Sequence, residues 1–224
     1  MRKNQKPVTP AELVAKLQPF VGKTFLEVSE LTGVPFPATG KAKGVVGWFV
    51  EALVGLPRDN DRLDYEWGDL KTKVYHAGKE VGGCVIGSLN SLANELLEDD
   101  VAFDDFILGK KIGQTVLVTV CTNRKGGGTA ADGWENFTFE GVSTHALRDL
   151  PEWQGVCEDW EWLKNHIAKC AIEGVYVSSS QRGPNDFLRL NSCGGSFKFC
   201  GRNLRRNGGL QLALGKPVVQ KLCR

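Results

Sequence analysis

Between residues 63 and 74 the chain reads LDYEWGDLKTKV, placing the carboxylates of Asp64, Glu66 and Asp69 close to the ammonium groups of Lys71 and Lys73. If GDLKTKV is a strand, alternation puts Asp69, Lys71 and Lys73 on one face and Leu70, Thr72 and Val74 on the other. The apolar side can then enter a core while carboxylate and ammonium project together. A second carboxylate from the preceding arm, Asp64 by position, could meet Asp69 around a hard divalent cation. Mg²⁺ takes oxygen ligands, keeps several waters, and often asks a protein for only two carboxylates. Such an ion lowers the pKa of a bound water and offsets charge on a phosphodiester, and a nearby lysine can orient the nucleophile and stabilise the charged phosphorane. Acids and lysines also alternate on many solvated hairpins, so this spacing alone fits both readings.

Charge along the chain points the same way. The 224 residues carry a net charge of +2, yet residues 90 to 162 hold 14 acids against 5 Lys and Arg, whereas residues 182 to 224 hold 9 Lys and Arg against one acid. A terminal segment of that polarity suits a polyanion, and nucleic acid is the most general one. Its candidate phosphate contacts are Arg182, Arg189, Lys198, Arg202, Arg205 and Arg206, and the arginines could also read guanine edges.

The elements that would position these groups are partly readable. Thr9 with Glu12, helped by Pro10, and Thr24 with Glu27 form two capping boxes, so the chain opens with a helical pair, the second helix stopping at Gly33. A Pro and Gly loop, VPFPATGKAK, leads into GVVGWFVEALVGLP, where Val46, Phe49, Val50 and Leu53 form a helical stripe ended by Gly55 and Pro57. On this third helix Gly44, Gly47 and Glu51 share one face, offering a close approach beside a single carboxylate. GGCVIGSL, QTVLVTVC and FTFEGV read as strands, the second so apolar that both its faces should be buried. LANELLEDDVAFDDFILGKK reads as an acidic helical connection, and NRKGGGTAADG as a surface glycine turn without the G-K-[ST] of a phosphate loop. Residues 151 to 173 place Trp160, Leu163 and Ile167 at helical spacing before Gly174. VYVSSSQRGPNDFLRL reads as a hairpin turning at RGPND, and SFKFCGRNLRRNGG alternates Phe197 and Phe199 with polar residues ahead of a basic loop. The order of elements implies an α/β or α+β fold with a mixed sheet flanked by helices.

Other chemistries find less support. Seven cysteines, an odd number with no C-x-x-C pair, signal neither a disulfide framework nor a zinc site. His76, His145 and His166 stand alone in sequence and read as structural or surface residues. No apolar run reaches the length of a membrane span, and MRKNQKPVTPAEL has no apolar segment behind its basic residues, so a cytoplasmic protein without a signal peptide is expected.

The run TFLEVSELTGVPFPATGKAKGVVGWFVEALVG...LDYEWGDLKTKV resembles the N-terminal half of the MutH-like DNA endonucleases, a family of mismatch-repair nicking enzymes and related type II restriction endonucleases. The similarity continues through GGCVIGSL and GKKIGQTVLVTV to EDWEWLKNHIAKCAIEGVYV...FLRL and is strongest in residues 20 to 75. KGVVGWFVE, from Lys43 to Glu51, matches the family's K-G-x-x-G motif and the glutamate that follows it. The family's aspartate falls on Asp64, with Asp61 an alternative, its second acid on Asp69 and its lysine on Lys71; a further lysine falls on Lys110 or Lys111. The resemblance implies a restriction-endonuclease-like fold with two lobes around a DNA cleft, in which a catalytic lobe of about residues 1–125 is completed by DNA-recognition elements at about 174–224. It implies a Mg²⁺-dependent, sequence-specific endonuclease of duplex DNA. Asp64 and Asp69 would bind metal, Lys71 would position the nucleophile, Glu51 and Lys111 would support the site, and Lys43 would approach DNA. For the nicking enzymes it also implies a mismatch-repair activator as partner. The chain departs from the family pattern in having Asp rather than Glu at 69, a shorter spacing between Asp64 and Asp69, and NSC where an R-P-K-like DNA-contacting segment follows LRL.

Overall fold

The computed structural model describes residues 9–36, 44–56, 64–80, 84–98, 101–122 and 137–222. They fall into two compact units, each assembled from two stretches of chain: residues 1–82 with 114–146, and 83–113 with 147–224. The loop NRKGGGTAADG and the link PRDNDR lie outside the described residues.

In the first unit the capping boxes start two helices, α1 (Pro10–Leu17) and α2 (Phe25–Thr32). Thr24 Oγ1 accepts the Glu27 amide at 3.2 Å and the Glu27 carboxylate accepts the Thr24 amide at 2.7 Å, so two otherwise orphaned donors of the first turn are satisfied. Those bonds to Thr24 hold the Glu27 carboxyl below its ordinary pKa. A third helix, α3 (Val45–Val54), ends on Gly55, whose φ of 81° is the left-handed conformation that glycine supplies.

The three helices cover one face of a four-stranded mixed sheet ordered β2-β1-β4-β5, made from β1 (Asp69–His76), β2 (Lys79–Glu80), β4 (Thr115–Thr122) and β5 (Phe137–His145). β1 runs parallel to β4, and β4 antiparallel to β5. Because side chains alternate, the rows Leu70–Val116–Thr144, Thr72–Val118–Val142 and Val74–Val120–Phe139 share the helix-covered face. Leu70, Val116, Val118, Val120, Phe137 and Phe139 join Leu13, Leu17, Phe25, Phe49 and Val50 in one buried core. Phe25 is its centre, with ring centroids 4.7 Å from Phe139 and 4.9 Å from Phe49. The opposite face carries Asp69–Thr115–His145, Lys71–Leu117–Ser143 and Lys73–Thr119–Gly141. QTVLVTVC is therefore buried as its composition predicts, but its two faces differ in chemistry.

The second unit holds a separate antiparallel sheet, ordered β3-β9-β6, from β3 (Cys84–Ser88), β6 (Leu188–Cys193) and β9 (Gly209–Leu214), beside a two-stranded hairpin of β7 (Lys198–Phe199) and β8 (Arg202–Asn203). Its helices are α4 (Ala93–Glu98), α5 (Ile107–Gly113), the long α6 (Trp153–Glu173) and α7 (Lys216–Leu222). Trp160 on α6 is 1% exposed and packs its ring against Phe103 and Phe106 at 5.0 and 4.5 Å. Asp159, beside it, is 0% exposed and accepts the amides of Asn185, Phe187 and Leu188 at 2.7, 2.7 and 2.9 Å. Gly183 fits only because it lacks a side chain, since a Cβ there would lie 2.1 Å from Asp159 Cγ. The six cysteines among the described residues form no disulfide, and burial, then the Asp104 carboxylate, pushes the Cys157 thiol up to about 11.

The protein is thus mixed α and β, as the order of elements implies, but two readings change. The mixed sheet flanked by helices is present, but among the described residues the strands are divided over three sheets, because β3 finds its partner in β9 and not beside the parallel pair. The stretch VYVSSS is no strand, although the turn at RGPND does form, with Arg182 bridging Arg189 and the Gly183 amide bonded to Leu188 O at 2.9 Å. No helix among the described residues is long and apolar enough to cross a membrane.

Candidate active site

The start of β1 is shaped by a tight turn. Tyr65 and Gly68 exchange backbone hydrogen bonds at 3.1 and 3.2 Å around Glu66 and Trp67, and the Tyr65 and Trp67 rings stack at 4.9 Å. Gly68 is required by proximity, since a Cβ would sit 1.9 Å from the Gln114 carbonyl oxygen. On leaving the turn, the Asp69 amide donates to Gln114 O at 3.3 Å, so amides of odd-numbered residues face β4 and those of even-numbered residues face the other edge. There Asp64 Oδ2 accepts the Leu70 amide at 3.0 Å. The turn therefore brings the Asp64 carboxylate to the peptide that follows Asp69.

Asp69 is 1% exposed and its carboxylate forms an ion pair with Lys71 Nζ, whose side chain is 22% exposed. Lys73, next on that face, is 5% exposed. An ammonium and a carboxylate in such a place each lose hydration, a cost that pairing offsets. The ion pair sets the Lys71 ammonium beside the Asp69 carboxylate.

Glu51 approaches from α3. Its Oε1 lies 3.7 Å from where a Gly47 Cβ would be, with Thr72 Oγ1 4.0 Å from the same point. The bare face of the helix at Gly47 is thus bordered by the Glu51 carboxylate and by Thr72 of β1. Gly44 serves as a left-handed N-cap with φ 91°. Tyr65 lies in the field of both Glu51 and Asp64; burial first, then these two carboxylates, drives its phenol well above the ordinary tyrosine range. The Tyr65 hydroxyl is buried without a hydrogen-bond partner among the described residues.

Among the described residues no three His, Cys, Asp or Glu side chains converge closely enough to enclose an ion unaided. Two carboxylates at the turn, a negative field and an unmet buried hydroxyl nevertheless fit a hydrated divalent cation, which supplies most of its own ligands as water. Asp64 and Asp69 are the residues that could hold it.

The remaining sequence candidates fall elsewhere. Lys43 and Asp61 lie outside the described residues. Lys111 is half-buried and Lys110 exposed in the last turn of α5, within the second unit. That unit also carries the basic candidates. Arg182 pairs with Asp186 at 3.2 Å, Arg202 bonds Gly174 O at the end of α6, and Arg205 donates to Ser192 Oγ at 2.9 Å. Arg189 has its Nε buried without a partner among the described residues. Lys198 and Arg206 are exposed.

One pair escapes sequence reasoning. Ser143 Oγ and His145 Nε2 lie 2.7 Å apart on β5, on the same sheet face as Asp69 and Lys71. Their i, i+2 spacing is visible in EGVSTH, but the face they share with Asp69 depends on pairing through β4. The other histidines are structural, His76 bonding Thr122 O at 3.0 Å and His166 stacking on Trp162 at 5.4 Å. A scan against models of known protein families finds no match, and a search of curated proteins finds none either.

Proposed function

We propose that this protein is a Mg²⁺-dependent, sequence-specific endonuclease of duplex DNA, with strand nicking of the mismatch-repair type as the first reading. What carries the proposal is the ion pair between buried Asp69 and partly exposed Lys71, with Asp64 tied to the next peptide. Further support comes from the resemblance of residues 20 to 75 to the MutH-like endonucleases and from the basic run after residue 182. In this reading Asp64 and Asp69 hold Mg²⁺, which supplies an acidified water and offsets phosphodiester charge. Lys71 orients the attacking oxygen and stabilises charge growing on the phosphoryl oxygens, and Asp69 fixes that ammonium in place. Glu51 maintains the negative field around Asp64 and Tyr65. Lys111 acts as a supporting cation, and Lys43, Arg182, Arg189, Lys198, Arg202, Arg205 and Arg206 contact the duplex. The reading places the protein in the cytoplasm, with a mismatch-repair activator as partner.

The second reading is a type II restriction endonuclease cutting both strands, favoured by the absence of an R-P-K-like segment after LRL, where β6 ends in NSC. A binding module without catalysis fits less well, because it has no use for an ammonium held against a buried carboxylate. Incubation of supercoiled plasmid with Mg²⁺, followed by sequencing of the product ends, tests all three. Nicked circles support the first reading and linear product the second. Lys71→Ala and Asp69→Ala should each abolish cleavage while circular dichroism is retained; unchanged cleavage in both overturns the site assignment.

A further inference from the structure

We propose that Ser143 and His145 bind the DNA phosphate adjacent to the one cleaved, as a hydrogen-bonding pair on the same sheet face as Asp69 and Lys71; this rests on the endonuclease reading. The registers Asp69–Thr115–His145 and Lys71–Leu117–Ser143 put the four side chains in two neighbouring rows. Two strand spacings separate β1 from β5, roughly 10 Å. That is wider than one phosphoryl group and within reach of consecutive groups along a strand.

The pair always has a donor left over. If His145 carries its proton on Nε2, that N–H donates to Ser143 Oγ and the hydroxyl hydrogen points elsewhere. If the proton is on Nδ1, the hydroxyl donates to Nε2 and the Nδ1–H is left. Neither side chain makes another hydrogen bond among the described residues, and both are half-buried, so the spare donor is left for a partner from outside. Burial also draws the His145 imidazole below its ordinary pKa, favouring the neutral ring at pH 7.5. The contact is therefore a hydrogen bond to a non-bridging phosphate oxygen and releases no extra counterion.

Ser143→Ala, His145→Ala and the double variant would be compared with wild type in plasmid cleavage, and in anisotropy of a short fluorescein-labelled mixed-sequence duplex with Ca²⁺ replacing Mg²⁺. The double variant should weaken duplex binding and raise KM by roughly tenfold, with kcat within about twofold and the salt slope of binding unchanged. A neutral methylphosphonate beside the scissile position should cost wild type a similar factor and the double variant almost nothing. Unchanged binding and KM, or a loss confined to kcat, would overturn the proposal. Wild-type protein that binds the duplex but never cuts would sink the endonuclease reading alone, with the anisotropy arm still judging the pair; absence of any duplex binding would sink both.

Discussion

Asp64 and Leu70 are joined by a hydrogen bond of 3.0 Å that closes the turn at the start of β1 and sets a carboxylate against the edge of the strand next to Asp69. The short separation of the two aspartates in sequence follows from this geometry, because a turn with only Glu66 and Trp67 at its tip needs few residues to bring Asp64 back.

That bond separates the structural from the chemical role of Asp64. Asp64→Asn keeps an oxygen for the Leu70 amide and should cost less than about 0.5 kcal/mol, whereas Asp64→Ala strands the amide and should cost about 1–2 kcal/mol in urea unfolding. Both should lose at least about a hundredfold in Mg²⁺-dependent cleavage on the proposed reading, since each removes a charged ligand. Cleavage by Asp64→Asn at the wild-type rate would transfer the ligand role to Asp61.

In the second unit Asp159 should prove as sensitive as any apolar core residue. Replacement by Asn leaves one acceptor and turns an NH₂ group toward amides that need an oxygen, at a site with 0% exposure. A loss of about 3 kcal/mol or more is expected, with faster amide exchange at Asn185, Phe187 and Leu188. A loss below about 1 kcal/mol would mean that the turn is held by other contacts.

The α2 capping box should show itself in acid. Glu27 has a folded pKa below its ordinary 4.5, so its contribution is present above that value and disappears as pH falls through the lower folded one. Thr24→Ala should cost about 1 kcal/mol at neutral pH. The gap between wild type and variant, followed by thermal unfolding, should narrow as pH drops from 7 toward 3; a gap constant with pH would exclude the Glu27 charge as its source.

What could be read in advance was local. Both capping boxes, the apolar stripe of α3 and the Gly174 stop of α6 depend on residues a few positions apart, and each formed as written, whereas in β1 the charged side, Asp69 and Lys73, is buried along with Leu70. Long-range pairing was not legible. GLQLAL, the central strand of the second sheet, follows a basic glycine-rich loop and shows its role only when Cys84–Ser88 and Leu188–Cys193 lie on either side. Asp159 looks like one more acid in EDWEW, because the amides it serves come from a turn 26 to 29 residues onward. Ser143 and His145 announce one shared face but not which one, a matter fixed by β4.

The split composition of the first unit bears on how the chain is made. β1 leaves the ribosome early, but its parallel partner and then β5, with Phe137 and Phe139, follow only after residues 83–113 have been committed to the other unit. Until residue 145 is synthesised, the helices at the N-terminus lack the last of the four strands they rest on, and the nascent chain must keep Leu70 and Phe25 from other apolar partners. Premature termination within NRKGGGTAADG would release a chain carrying Asp64, Asp69 and Lys71 but lacking the last strand of their sheet, a species suited to aggregation or chaperone capture more than to catalysis.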